Sequence, residues 1–94
     1  MNGVERIAKE RQRQIEEGLW TAEHDGANTM GEMASAAACY AEVNQRKRRT
    51  PPEKWPWHAL WWHPNDDPIR NLEKAGALIA AEIDRLLRAK ETAL

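Results

Sequence analysis

Asp67-Pro68-Ile69-Arg70-Asn71-Leu72-Glu73-Lys74-Ala75-Gly76-Ala77-Leu78-Ile79-Ala80-Ala81-Glu82-Ile83-Asp84-Arg85-Leu86-Leu87 is the stretch on which the fold turns. Asp67 is a natural N-cap, and Pro68 suits the first helical position, where its missing N–H has no partner to lose. From there Ile69, Leu72, Gly76, Ile79, Ile83 and Leu86 recur at alternating spacings of three and four. That is the seam of a helix about twenty residues long, with a coiled-coil-like repeat. Leu78 and Leu87 widen the stripe. A mid-helix glycine costs about 1 kcal/mol against alanine, so Gly76 marks a close backbone contact.

The expected neighbour lies upstream. Thr29-Met30-Gly31-Glu32 reads as a capping box opening a helix that continues through MASAAACYAEV to about Asn44. Ala34, Ala37, Ala38 and Ala41 make a strip of small side chains that another helix can approach closely, flanked by Met30, Met33 and Tyr40. The two helices are expected to form an antiparallel hairpin, with Cys39 buried in the strip as a small hydrophobe. A further helix, from about Asn2 to Glu17, puts Val4, Ile7, Ala8, Arg11 and Ile15 on one face, and Gly18 sits where a left-handed C-terminal cap is usual. It is expected to lie across the hairpin. The fold class is therefore all-α, one domain over residues 1–94: a helix hairpin, a third N-terminal helix and a long Trp-rich loop.

That loop, about Gln45 to Asp66, is long for a compact domain unless it folds on itself or serves a function. Of five tryptophans in 94 residues, Trp55, Trp57, Trp61 and Trp62 fall within it. Each indole carries a large apolar area, so the cluster either closes the end of a small core or lines a contact face. Pro51-Pro52 enforces an extended stretch, and His58 to Trp62 fits one short helical turn. The net charge of −1 provides no global basic field of the kind that marks a nucleic-acid binder. A single cysteine excludes an internal disulfide and fits a reducing compartment. No apolar run reaches membrane-spanning length, and the first residues lack the apolar stretch of a signal peptide, so a cytoplasmic location is expected.

Three groups of side chains are candidates for a site. Trp20, Glu23, His24 and Asp25 share one loop with an Asp-Gly turn signal. Those three polar residues are metal-ligand types, but adjacent residues rarely all face one ion, and hydrogen bonding to a ligand is the better reading. Arg46-Lys47-Arg48-Arg49 precedes the tryptophans, so Arg48 and Arg49, with Arg6, Arg11, Arg13 and Arg70 added by folding, could neutralise phosphate beside stacking aromatics. His58 and His63 bracket Trp61 and Trp62, and His63 could flank an anion. The expected ligand set is Trp20, Glu23, His24, Asp25, Glu32, Arg48, Arg49, Trp57, Trp61, Trp62, His63 and Arg70, with no catalytic residue, metal or cofactor.

Two resemblances follow from these residues. ERQRQIEEG with W, T and EHD after it, then GE, AA and CYA, then WPW, WW and KAGALI, resembles a set of small uncharacterised proteins encoded by tailed phages and prophages. The likeness runs from Glu5 to about Arg88 and implies a phage accessory protein that sequesters a small anionic, nucleotide-like signal of host defence, or inhibits a host protein through the tryptophan loop. GEMASAAACYA is also similar to the first metal helix of the MazG-like nucleotide pyrophosphohydrolases, which carry ExxE on one helix and ExxD on another. Here Ser35 stands three residues after Glu32, and Glu82 and Asp84 are two apart on different faces, so no Mg²⁺ cluster is assembled. Binding rather than catalysis is expected, in a homo-oligomer, because a thin first helix and a heptad-like seam leave apolar surface uncovered.

Overall fold

Asn2 and Glu5 start the first helix by satisfying each other's backbone. The Asn2 side chain accepts from the Glu5 N–H at 3.0 Å, and the Glu5 carboxylate accepts from the Asn2 N–H at 3.1 Å. The computed structural model describes residues 1–19, 27–43 and 50–92, and α1 spans Gly3–Glu16. It ends in a Schellman motif: Gly18 takes φ 73, its N–H donates to Ile15, and the Leu19 N–H donates to Gln14.

The second helix, α2, spans Glu32–Glu42. Its start differs from the expected capping box. Gly31 is the N-cap with φ 79 and no side chain caps the helix. This places Glu32 at the first helical position, so its carboxylate reaches back to the Met30 N–H and not to Thr29. After Pro51-Pro52 the chain forms a 3-10 turn, Ala59–Trp61, capped by His58 Nδ1 accepting from the Leu60 N–H at 3.1 Å. Helix α3 spans Pro68–Thr92, longer than expected, with Asp67 Oδ1 accepting from the Ile69 N–H at 2.9 Å. The fold is all-α, with no strand among the described residues.

α3 is the spine. It packs against α2 on one side and α1 on another, while α1 and α2 do not meet. The core comprises Met33, Ala36, Ala37, Cys39, Tyr40 and Val43 of α2, Ala75, Leu78 and Ala81 of α3, and Trp62, with Trp55 and Trp57 packed against it. Cys39 is fully buried, as its small-hydrophobe reading implied.

Three helix faces are not where periodicity alone placed them. In α2 the packed strip is Ala36 and Ala37 with Met33 and Tyr40; Ala34 and Ala41 face solvent, and Met30 is 88% exposed. In α1 Val4 is 78% exposed and Ile15 is exposed, while Glu10 and Gln14 are buried. The reason is electrostatic: Glu10 and Glu73 find arginine partners across the α1–α3 contact, so α1 docks by its polar face. In α3 the Ile69, Leu72, Ile79, Ile83 and Leu86 seam is half exposed, and the buried face is Asn71, Glu73, Ala75, Ala77, Leu78 and Ala81. Alanines there permit the close approach that bulky Ile and Leu would prevent. Gly76 does mark a close contact, but with α1: a Cβ built on it would lie 2.6 Å from Ile7 Cδ1.

Candidate functional site

Aromatic packing at the end of the α2–α3 pair divides the tryptophans into two groups. Trp55 is the hub, edge-on to Tyr40 at 5.7 Å, Trp57 at 5.3 Å and Trp62 at 4.9 Å between ring centroids. Edge-to-face contact suits the aromatic quadrupole. Two of the indole N–H groups are satisfied inside this cluster, Trp55 by the His58 carbonyl at 3.2 Å and Trp57 by Asn28 Oδ1 at 3.1 Å. Trp62 is 5% exposed. Trp62 belongs to the core, and Trp55 and Trp57 are partly buried against it. Trp61 is 50% exposed and its neighbour Leu60 is 77% exposed, both on the 3-10 turn.

The turn is held rigidly from below. Asn71, buried on α3, clamps the Asn65 backbone with both ends of its amide: Oδ1 accepts from the N–H and Nδ2 donates to the carbonyl, each at 2.7 Å. Asn65 Oδ1 in turn accepts from the Asp67 N–H at 2.8 Å, closing an Asx turn into α3. One residue past the core tryptophan, the His63 N–H donates to the Tyr40 hydroxyl at 3.2 Å, and Lys74 Nζ donates to the His63 carbonyl at 2.8 Å. The same ammonium lies 5.6 Å from the Tyr40 ring centroid. Burial pushes the Lys74 amine below its ordinary range and the Tyr40 phenol above its own. Loop and both helices are thus tied at one point, and Leu60-Trp61 projects from a fixed base.

A second feature lies on the α1–α3 contact. Arg70 bridges two carboxylates, Glu10 at 2.7 Å and Glu73 at 3.2 Å. Arg13 forks onto Glu10 through Nε at 2.8 Å and a second nitrogen at 2.9 Å, and Arg6 reaches Glu73 at 2.8 Å. Burial alone would raise the Glu10 pKa, but Arg13, Arg70 and the Gln14 amide together hold it below its ordinary value of 4.5. Above this network opens a groove of about 600 Å³ whose lining includes Arg6, Lys9, Gln12, Arg13, Glu16 and Arg70.

Of the expected ligand residues, Trp20, Glu23, His24, Asp25, Arg48 and Arg49 lie outside the described residues, and the described ones fall at separate places. Trp62 is buried in the core, and Trp57 is partly buried against it. Glu32 is spent at the start of α2, and Arg70 is on the α1 side, in the ion-pair network. His63 is exposed beside Trp61. The residues that sequence reasoning missed are Leu60, Asn71 and Lys74. Leu60 was legible as an aliphatic side chain inside a turn; the others are ordinary helix-surface types whose roles come only from the packing. Among the described residues no three His, Cys, Asp or Glu side chains gather to hold a metal ion, and no helix is long and apolar enough to cross a membrane. No protein-family model matches the chain, and no curated protein or solved structure is similar to it.

Proposed function

We propose that the chain works by binding another protein, with Leu60 and Trp61 as the anchor, in the manner of a phage accessory protein that neutralises a host factor. The observation that carries this reading is the split within one run of aromatics: Trp62 is buried while the adjacent Trp61 and Leu60 stand in water. Half an indole leaves on the order of 100 Å² exposed, enough for about 2–3 kcal/mol when a partner covers it. That is the scale of an interface hot spot, where tryptophan is the most enriched residue type. The base is fixed before binding, so little ordering entropy opposes association.

The test is capture from a bacterial lysate by the wild type, by Leu60→Ala/Trp61→Ala, and by Lys90→Ala as a surface control. A specific partner held by wild type and control and lost by the double variant supports the reading; equal capture by all three sinks it.

A second reading rests on the α1–α3 groove, whose lining includes Arg6, Lys9, Arg13 and Arg70 together with Glu10, Glu16 and Glu73. Since Arg6, Arg13 and Arg70 are already ion-paired to Glu10 or Glu73, a small anionic, nucleotide-like ligand would bind there through Lys9 and the remaining N–H groups of those arginines, and not through stacked tryptophans. Thermal unfolding with linear and cyclic nucleotides at hundred-fold excess over a micromolar Kd would raise stability by about 2.7 kcal/mol if it holds. No shift with any nucleotide would remove it.

A further inference from the structure

We infer that the exposed stripe of α3 is the contact surface for a second copy of this chain, with the two α3 helices antiparallel about a two-fold axis. The stripe is Ile69, Leu72, Ile79, Ile83 and Leu86, each between 50% and 53% exposed, with Gly76 completing the repeat. Unlike a scatter of surface aliphatics, these positions keep strict alternating spacings of three and four, the period of knobs-into-holes packing between two helices. Among the described residues α1 and α2 pack on other faces of α3, and Ile7 of α1 reaches the stripe at Gly76.

Area and register both point to a second copy. Half-exposed Ile and Leu side chains leave roughly 90 Å² each in water, and Leu87 widens the face, so it presents on the order of 550 Å². One partner contributes about 800 Å² to a standard interface, so the stripe alone supplies most of what a stable dimer needs. In an antiparallel pair centred between Ala77 and Leu78, Ile69 faces Leu86, Leu72 faces Ile83, and Gly76 faces Ile79. Every level then sets a side chain of one copy against apolar surface of the other, with Ile7 of α1, which fills the space over Gly76, supplying the surface that Ile79 meets. A parallel pair would instead place Gly76 opposite Gly76 and bring the two Ile7 side chains, and with them the two α1 helices, to the same level.

Charge permits the same pairing. The carboxylates flanking the seam are Glu73 and Glu82, and each is neutralised within its own chain, by Arg6 and Arg70 and by Arg85. Two identical copies therefore meet without like-charge repulsion.

Sedimentation equilibrium across micromolar to submillimolar concentration tests the inference. The wild type is expected to give twice the chain mass, and Ile79→Lys/Ile83→Lys the single chain mass with unchanged helical circular dichroism, since both positions are already half in water. A separate readout keeps the seam otherwise intact: chains carrying Leu72→Cys and Ile83→Cys are mixed and oxidised. Mixed cross-links in about ten-fold excess over Leu72→Cys pairs are expected, with buried Cys39 out of reach. A wild type that stays monomeric throughout, or a double-lysine variant that still dimerises, overturns the inference. So does cross-linking dominated by Leu72→Cys with itself, which would mean a parallel pair.

Discussion

Adding one methyl group at position 76 separates a glycine kept for packing from a glycine that is merely tolerated. In an open helix Gly→Ala stabilises by about 1 kcal/mol, because alanine has less backbone entropy to lose. At Gly76 the new Cβ would sit 2.6 Å from Ile7 Cδ1, 2.7 Å from Cγ1 and 3.1 Å from Cγ2. Three atoms of one side chain are involved, and a β-branched residue in a helix has essentially one χ1 rotamer, so Ile7 cannot swing clear without α1 moving. Overpacking of this kind costs about 1–3 kcal/mol. Gly76→Ala is therefore expected to be neutral to destabilising by about 2 kcal/mol in the wild type. In an Ile7→Ala background it should stabilise by about 1 kcal/mol. The difference, a coupling of about 1–3 kcal/mol, is measured by a double-mutant cycle in urea followed by circular dichroism. If Gly76→Ala stabilises by the same amount with and without Ile7, the α1–α3 contact is not as described.

Three further outcomes are expected. Trp62→Ala should cost about 3–5 kcal/mol and Trp61→Ala less than about 1 kcal/mol in the same urea assay, because only the first empties the core. Asn71→Ala strands the Asn65 N–H and carbonyl and should cost about 2 kcal/mol or more, with the loss confirmed by faster amide exchange at Asn65. Glu10 has its pKa held below 4.5, so its stabilising contribution is full above that value and lost as pH falls through the lower, folded-state value. Glu10→Gln should lower stability at neutral pH, by removing one of the two carboxylates paired with each of Arg13 and Arg70, and should flatten the acid limb of the stability–pH curve; an unchanged acid limb would mean that Glu10 is not the group responsible.

The start of α3 and the end of α1 were legible in the sequence because their causes are local, whereas α2 starts from Gly31 and not from the expected Thr29 cap. Asp67-Pro68 and Gly18 act through backbone N–H and carbonyl groups within a few residues, and both appear in the expected roles. The turn at His58 to Trp62 was legible for the same reason. Which face of each helix is buried was not, since that depends on partners distant in sequence. Periodicity identified the Ile69–Leu86 seam correctly as a stripe, yet α3 turns its alanines to its neighbours and leaves the stripe outside. Complementary charges carried the missing signal: Arg6 with Glu73 and Glu10 with Arg70 are matched pairs 67 and 60 positions apart, invisible to any window a few turns long. The tryptophans were a comparable case. Composition said that they needed burial or a partner, and only the packing around Trp55 showed Trp62 buried, Trp55 and Trp57 partly buried and Trp61 half exposed.

The measurement that bears most directly on the proposed role takes a single variant through two assays. Trp61→Ala should unfold at the wild-type urea concentration to within about 1 kcal/mol, because the ring is already half in water, and should lose at least ten-fold in affinity for the captured partner, the minimum for a hot spot worth about 1.4 kcal/mol. Wild-type affinity in a fully folded Trp61→Ala chain would contradict the role given to the exposed turn.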